Sequence, residues 1–156
     1  MKRKIINLFV SHYGGDEDKI EPLKELLRNK GYVIRDDSVK ESEPNNASAP
    51  DYIKSQILGP RIKWAGCIVV LIGPKTASRE WVDWEINYAE KQGKRIIGVF
   101  LQGAKDSDVP EALESYGSAL VGWNSNKIAD AIEGENIWVK ADGTNRPENY
   151  TSRVTC

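Results

Sequence analysis

The sequence predicts a doubly wound α/β domain, in which a parallel sheet lies between two layers of helices. Between residues 5 and 133, short β-branched runs alternate with segments of helical periodicity, and this alternation is typical of parallel strands joined by helical crossovers. Residues 67–72 form a continuous apolar run, which is expected of a central strand covered on both faces. A chain of 156 residues is long enough to enclose one such core.

Five runs have the character of strands. Each is rich in apolar residues, which are mostly β-branched in the first four, and is bounded by glycine, proline or polar residues. The first is followed by Gly14 and Gly15, which separate it from a helical pattern. The predicted strands are residues 5–10, 32–35, 67–72, 95–101 and 119–123.

Segments of helical periodicity lie between these runs. In the first segment, Ile20, Leu23 and Leu27 recur at the spacing of one helix face, and Gly31 follows where a helix would end. We expect Gly59-Pro60 to end the second helix. The predicted helices are residues 19–30, 51–58, 79–92, 111–116 and 127–133.

Two stretches are mostly polar. Residues 36–50 contain two prolines and almost no apolar anchor, so we predict a long surface loop. The last residues are rich in Asn, Gly, Thr and Glu, a composition that favours poor order. We therefore divide the chain into a domain over residues 1–134 and a poorly ordered tail over residues 135–156.

Composition argues against several classes of function. The 22 basic and 23 acidic residues give a net charge of -1 and are interspersed, so nothing resembles the basic surface of a nucleic-acid-binding protein. No apolar run approaches the roughly 20 residues of a membrane-spanning helix. The two cysteines are far apart in the sequence, which predicts neither a disulfide framework nor a metal site. We expect a cytoplasmic protein that binds neither nucleic acid nor membrane.

Candidate site residues follow the predicted strands. In an open parallel sheet, ligands bind beyond the carboxyl ends of the strands. Ser11, His12 and Tyr13 follow the first strand and Asp36 follows the second. His12 is the only histidine and is compatible with a general base, a substrate contact or a surface residue.

The helix after the third strand carries the most informative segment. If Ser78 caps this helix, Glu85 lies one turn beyond Trp81 on the same face. A carboxylate beside an indole is an unusual pairing. The alternative interpretation is that Trp81 and Trp84 pack in the core and that Glu85 is solvated.

Other nucleotide-site and phosphoacceptor motifs do not fit. Gly14-Gly15 lacks the spacing of a dinucleotide fingerprint or a phosphate-binding loop. A phosphoacceptor receiver domain needs an aspartate at the end of the third strand, and this strand ends in Leu71-Ile72-Gly73-Pro74. A lone histidine with scattered acids does not make a first-row metal site.

Two motifs together resemble the TIR family. The first strand ends in Phe9-Val10-Ser11 with an acid downstream, and the helix after the third strand opens Ser-x-x-Trp-x-x-x-Glu from Ser78 to Glu85. The resemblance covers about residues 4–133 and is strongest to the stand-alone TIR-like proteins of bacterial Thoeris anti-phage defence, which make a nucleotide signal from NAD. It implies a flavodoxin-like three-layer fold with strand order 2-1-3-4-5.

The resemblance also implies a reaction and its residues. Glu85 is the implied catalytic residue for cleavage of the nicotinamide glycosidic bond of NAD, giving an ADP-ribose-derived, cyclic signalling nucleotide. NAD is the substrate and no cofactor is expected. Self-association, a phage-derived trigger and an effector reached only through the nucleotide are the expected partners. The implied substrate-binding residues are Ser11, His12, Tyr13, Asp36, Ser78 and Trp81.

Two other functions stay open at this stage. The first is a TIR domain that catalyses nothing and passes a signal by self-association alone. The fold does not exclude it, because function resides in the site and not in the architecture. A nucleoside deoxyribosyltransferase-like N-glycosidase would also place a glutamate against a glycosidic bond. Glu85 favours an enzyme over an assembly module.

Overall fold

One parallel sheet of five strands organises the protein. The computed structural model describes residues 4–12, 18–36, 59–74, 76 and 80–144. The strands are β1 (Lys4–Ser11), β2 (Tyr32–Asp36), β3 (Cys67–Ile72), β4 (Arg95–Phe100) and β5 (Ala119–Val121). Their order in the sheet is β2-β1-β3-β4-β5 and each neighbouring pair is parallel, so the predicted doubly wound, flavodoxin-like fold is confirmed.

Helices cover both faces of this sheet. Successive side chains of a strand point to opposite faces, and the buried residues accordingly form two clusters. One cluster joins the sheet to α1 and α5, and the other joins it to α2, α3 and α4. Every residue of β3 is buried, as its unbroken apolar run predicts. The helices are α1 (Ile20–Asn29), α2 (Gly59–Trp64), α3 (Glu80–Lys91), α4 (Glu111–Tyr116) and α5 (Ser125–Ile132).

Helix α2 corrects one sequence prediction. Gly59 and Pro60 were expected to end a helix over residues 51–58, yet both are helical and α2 continues to Trp64. Proline has a φ angle that suits a helix and is tolerated in a first turn, where its missing N–H is not needed. Residues 51–58 lie outside the described part of the chain.

Part of the segment after α5, where a poorly ordered tail was predicted, pairs with the edge of the sheet. The N–H of Leu120 donates to the carbonyl oxygen of Ile137 at 2.7 Å, and the N–H of Val139 donates to the carbonyl oxygen of Leu120 at 2.9 Å. Val139 is buried, and Trp138 packs against the cluster that includes α3. This short parallel pairing therefore covers the edge of β5. Residues 145–156 are outside the description.

None of the helices in the described ranges has the length and apolar character needed to span a bilayer.

Candidate functional site at the switch point of the sheet

A buried hydrogen bond joins β1 to α3. The hydroxyl of Ser11 donates to Oε1 of Glu85 at 2.6 Å, although 74 positions separate the two residues. Ser11 is fully buried, and only 5% of Glu85 is exposed. The distance lies at the short end of the range for a hydrogen bond between two oxygen atoms.

The topology places this pair where ligands bind in such sheets. The chain leaves β1 toward β2 on one side, whereas β3, β4 and β5 follow on the other. The order of the strands therefore reverses between β1 and β3, and the crevice at such a switch point is the usual ligand site. Ser11 ends β1 and pairs with Val70 of β3, so its side chain lies at the carboxyl edge of that crevice.

Glu85 occupies a core-facing position of α3. Residues three and four apart in a helix lie on the same face, so Glu85 shares its face with Val82 and Ala89 and is next to Ile86. All three of these apolar residues are fully buried. Glu85 is thus the acidic member of an otherwise apolar stripe. The interpretation that Glu85 is an ordinary solvated helix residue is wrong, since the carboxylate is buried and holds the Ser11 hydroxyl.

Thr76 shapes the turn that leads from β3 to α3. Its side chain is fully buried, its hydroxyl donates to the carbonyl oxygen of Leu71 at 3.0 Å, and the N–H of Gly73 donates to the same hydroxyl at 2.8 Å. Sequence reasoning missed Thr76. The available signal was a hydroxyl residue shortly after Gly73-Pro74, because such side chains stabilise turns by bonding to nearby backbone groups.

His12 directly follows Ser11 and is only 3% exposed. The interpretation of His12 as a surface residue is therefore wrong. Its burial at the end of β1 keeps it a candidate for substrate contact or proton transfer.

The remaining predicted site residues are only partly described. Tyr13 and Ser78 lie outside the described residues, and Trp81 is described as part of α3 without its side chain. Asp36 ends β2 and pairs with Leu8 of β1. Its backbone is thus three residues short of Ser11, which is roughly 10 Å along the strand. The structure joins Ser11 to Glu85, places His12 next to Ser11 in the chain and leaves the backbone of Asp36 further from Ser11.

Two neighbours of Glu85 have separate surroundings. Trp84 stacks on Tyr88 with ring centroids 5.0 Å apart, so its packing role is as expected. Burial, followed by the nearby charge of Glu111, raises the pKa of Asp83. Within the described part of the chain, Oδ1 of Asp83 is buried and has no hydrogen-bond partner.

No group of three His, Cys, Asp or Glu side chains able to hold a metal ion occurs among the residues that the structure describes.

The fold and this site define a flavodoxin-like α/β domain with a buried serine–glutamate pair at its switch point. The family model described as "Thoeris protein ThsB, TIR-like domain" matches residues 9–106. This match spans more than half of the chain, and the protein belongs to that family. It includes the end of β1 from Phe9 to Ser11 and the whole of β3, α3 and β4, and with them both members of the buried pair.

Solved structures with low sequence identity are similar to this one. The TIR domain of the Toll-related receptor TRR-2 from Hydra magnipapillata is similar, with a TM-score of 0.53 and 12% identity over 82% of this chain and 92% of that one. The Clostridium botulinum CMP N-glycosidase BcmB matches with a TM-score of 0.49 and 19% identity over 83% of this chain and 98% of that one. The search of curated proteins found no match.

Proposed function

We propose that this protein cleaves the bond between nicotinamide and ribose in NAD, with Glu85 as the catalytic residue, and forms an ADP-ribose-derived cyclic nucleotide as a signal in anti-phage defence. The observation that carries the proposal is the buried carboxylate of Glu85 at the switch point, held by Ser11 at 2.6 Å. Membership in the Thoeris ThsB family supports the choice of NAD and of a signalling role.

A single carboxylate is sufficient for this reaction. The nicotinamide of NAD is a cationic pyridinium, so it takes the electron pair of the breaking bond and leaves as a neutral molecule. No general acid is then needed, unlike the sugar leaving groups of glycosidases, which require a second carboxyl group. The ribose carbon becomes oxocarbenium-like, and a preorganised carboxylate near it stabilises the positive charge most where water is excluded.

Capture of the ribose cation completes the reaction. Water would give ADP-ribose and a proton. A hydroxyl of the same nucleotide would give a cyclic product and also release a proton, whereas a ring nitrogen would give a cyclic product in which that ring takes the positive charge. We favour the cyclic product, because a Thoeris signal must differ from ordinary breakdown products of NAD. The effector then responds to the nucleotide and needs no contact with this protein.

Activation and assembly are parts of the same proposal. A phage-derived trigger is expected to switch the enzyme on, and self-association is expected to accompany activity. Sedimentation at several concentrations, with and without lysate from infected cells, measures this association. A monomer under every condition would contradict it.

The test is nicotinamide release from NAD by the purified protein, alone and with lysate from phage-infected cells. We expect Glu85→Gln to lower the rate about 100-fold or more, as for the loss of a preorganised electrostatic group. Glu90→Gln is the matched control, because Glu90 is an exposed residue of the same helix. Chromatography of the nucleotide products then identifies the group that captured the ribose.

Three outcomes would contradict the proposal. If neither the wild type nor the Glu85→Gln variant releases nicotinamide under any condition, an assembly module is favoured. Release that persists in Glu85→Gln removes Glu85 from the chemistry. Cleavage of free nucleosides in parallel reactions, without cleavage of NAD, indicates a nucleoside N-glycosidase.

A further inference from the structure

Ser11 lies on the face of β1 that packs against the apolar residues of α3. Phe9 and Ser11 lie on the same face of β1, because alternate residues of a strand share a face. Phe9 packs in the cluster that also holds Val82 and Ile86 of α3. Ser11 continues this face toward α3 with a hydroxyl group instead, and that hydroxyl meets Glu85.

A serine–carboxylate pair at such a place is a poor device for stability. Burial of a carboxylate costs free energy that hydrogen bonds offset only in part. Well-packed apolar residues at both positions would hold β1 and α3 together at least as well. Ser11 and Glu85 are both almost fully buried, so their pairing is better explained by the chemistry of the carboxylate than by packing.

The direction of the hydroxyl proton separates two roles for Ser11. A serine hydroxyl has one proton to donate, and in this structure it is donated to Oε1 of Glu85. While it is donated to Oε1, that proton is not available to the substrate, for which Ser11 is a predicted binding residue. It restrains the rotation of the carboxylate group about the last bond of the Glu85 side chain.

We propose that Ser11 is a positioning residue, which holds Oε1 of Glu85 so that the carboxylate presents a fixed orientation to the developing charge on the ribose. This inference rests on the proposed catalytic role of Glu85. Preorganisation of this kind acts on the transition state more than on substrate binding. Loss of the hydroxyl consequently lowers kcat and leaves KM nearly unchanged.

The test compares Ser11→Thr with Ser11→Val. Threonine and valine have the same shape, and both suit a strand, but only threonine keeps the hydroxyl. We expect Ser11→Thr to retain kcat within about 3-fold and Ser11→Val to lower it about 10- to 100-fold, with KM within about 3-fold in both. Ser11→Ala, which adds no atoms, repeats the comparison with wild type if the branched side chains do not fit.

Two kinetic outcomes would overturn the inference. Equal loss of kcat in the threonine and valine variants would mean that the hydroxyl has no separate role. A raised KM with unchanged kcat in the valine variant would return Ser11 to substrate binding. Thermal unfolding of each variant, measured alongside, shows whether the folded fraction accounts for a loss.

A spectroscopic readout keeps this inference separate from the proposed function. The carbon-13 resonance of the Glu85 carboxyl, assigned by its disappearance in Glu85→Gln, reports on the hydrogen bond without any substrate. If the wild type does not cleave NAD, the proposed function fails while the resonance still tests the pairing. A resonance shared by wild type and Ser11→Thr but shifted in Ser11→Val supports the pairing. The same resonance in all three proteins overturns it.

Discussion

The hydroxyl of Thr76 donates to the carbonyl oxygen of Leu71 at 3.0 Å and thereby closes the turn between the central strand and the helix of Glu85. The same hydroxyl accepts the N–H of Gly73 at 2.8 Å. Both backbone groups are satisfied by a side chain that is itself fully buried. The side chain of Thr76 is thereby anchored to the end of β3.

We predict that Thr76→Val lowers the free energy of unfolding by about 1–3 kcal/mol, because it leaves the buried Leu71 carbonyl and Gly73 N–H without this partner. Valine has the shape of threonine, so packing is preserved. Thr76→Ser keeps the hydroxyl and serves as the control. Urea denaturation of the two variants measures the difference, and equal midpoints would show that the turn does not depend on the hydroxyl.

The absence of a side chain at Gly98 of β4 provides the second prediction. A Cβ at this position would lie 2.6 Å from Leu113 Cδ2 and 2.8 Å from Leu120 Cδ1, which is too close for carbon atoms. We expect Gly98→Ala to lower the free energy of unfolding by about 1–3 kcal/mol, the usual cost of overpacking.

The matched control for Gly98 is Gly66→Ala, because a Cβ there meets only the Asn7 carbonyl oxygen at 3.9 Å. Thermal denaturation of both variants gives the comparison. If Gly98→Ala were as stable as Gly66→Ala, the side chains of Leu113 and Leu120 would have to move aside at little cost in free energy.

The raised pKa of Tyr32 leads us to predict that the free energy of unfolding falls at high pH. Burial, and then its hydrogen bond to Glu133, raises the pKa of Tyr32 from 10.0 to about 12. The folded protein thus binds the phenol proton more tightly than the unfolded chain does. The resulting stabilisation is complete below pH 10 and is lost as the pH rises from 10 to 12.

The measurement is the free energy of unfolding of wild type and Tyr32→Phe across this range. The advantage of tyrosine over phenylalanine is expected to fall by up to about 2 kcal/mol between pH 9 and pH 12. Burial also raises the pKa of Cys67 to about 12, but that thiol is common to both proteins and cancels. Parallel curves for the two proteins would contradict the prediction.

The last prediction concerns Arg95, whose hydrogen bonds anchor the end of α5 and the segment that follows it. Its Nε donates to the carbonyl oxygen of Ala131 at 2.6 Å, and its Nη2 donates to the carbonyl oxygen of Glu135. Ala131 lies in the last turn of α5, which has no basic residue of its own. We expect Arg95→Met to speed hydrogen exchange of the Val139 N–H at least 10-fold, because the pairing with Leu120 loses its anchor. Lys94→Met is the control, and equal exchange in the two variants would refute the role of Arg95.

Much of the fold could be predicted from the sequence, and the exceptions have physical reasons. The run Cys67–Ile72 is recognisable as a buried strand because its residues are apolar without alternation. The pairing of Ile137–Val139 with β5 could not be foreseen, because two hydrogen bonds to Leu120 decide it and the local composition of the tail is polar. The helix at Gly59-Pro60 was mispredicted because proline both ends and begins helices.

The candidate site could be predicted only in part. Ser11 and Glu85 were singled out by their places after β1 and within α3, but the helical pattern fits equally a solvated glutamate beside an apolar stripe. Thr76 gave no distinctive signal, since a hydroxyl residue in a loop is common.

Periodicity is a local property, so the amino-acid order was enough to predict the five strands, most of the helices between them and the edge of the sheet at which a ligand would bind. Contact between Ser11 and Glu85 is not local. It depends on the register of β1 against β3 and on the point at which α3 begins. Those two quantities come from the packing of the whole core, and for that reason only the folded protein turns a serine and a glutamate 74 positions apart into one site.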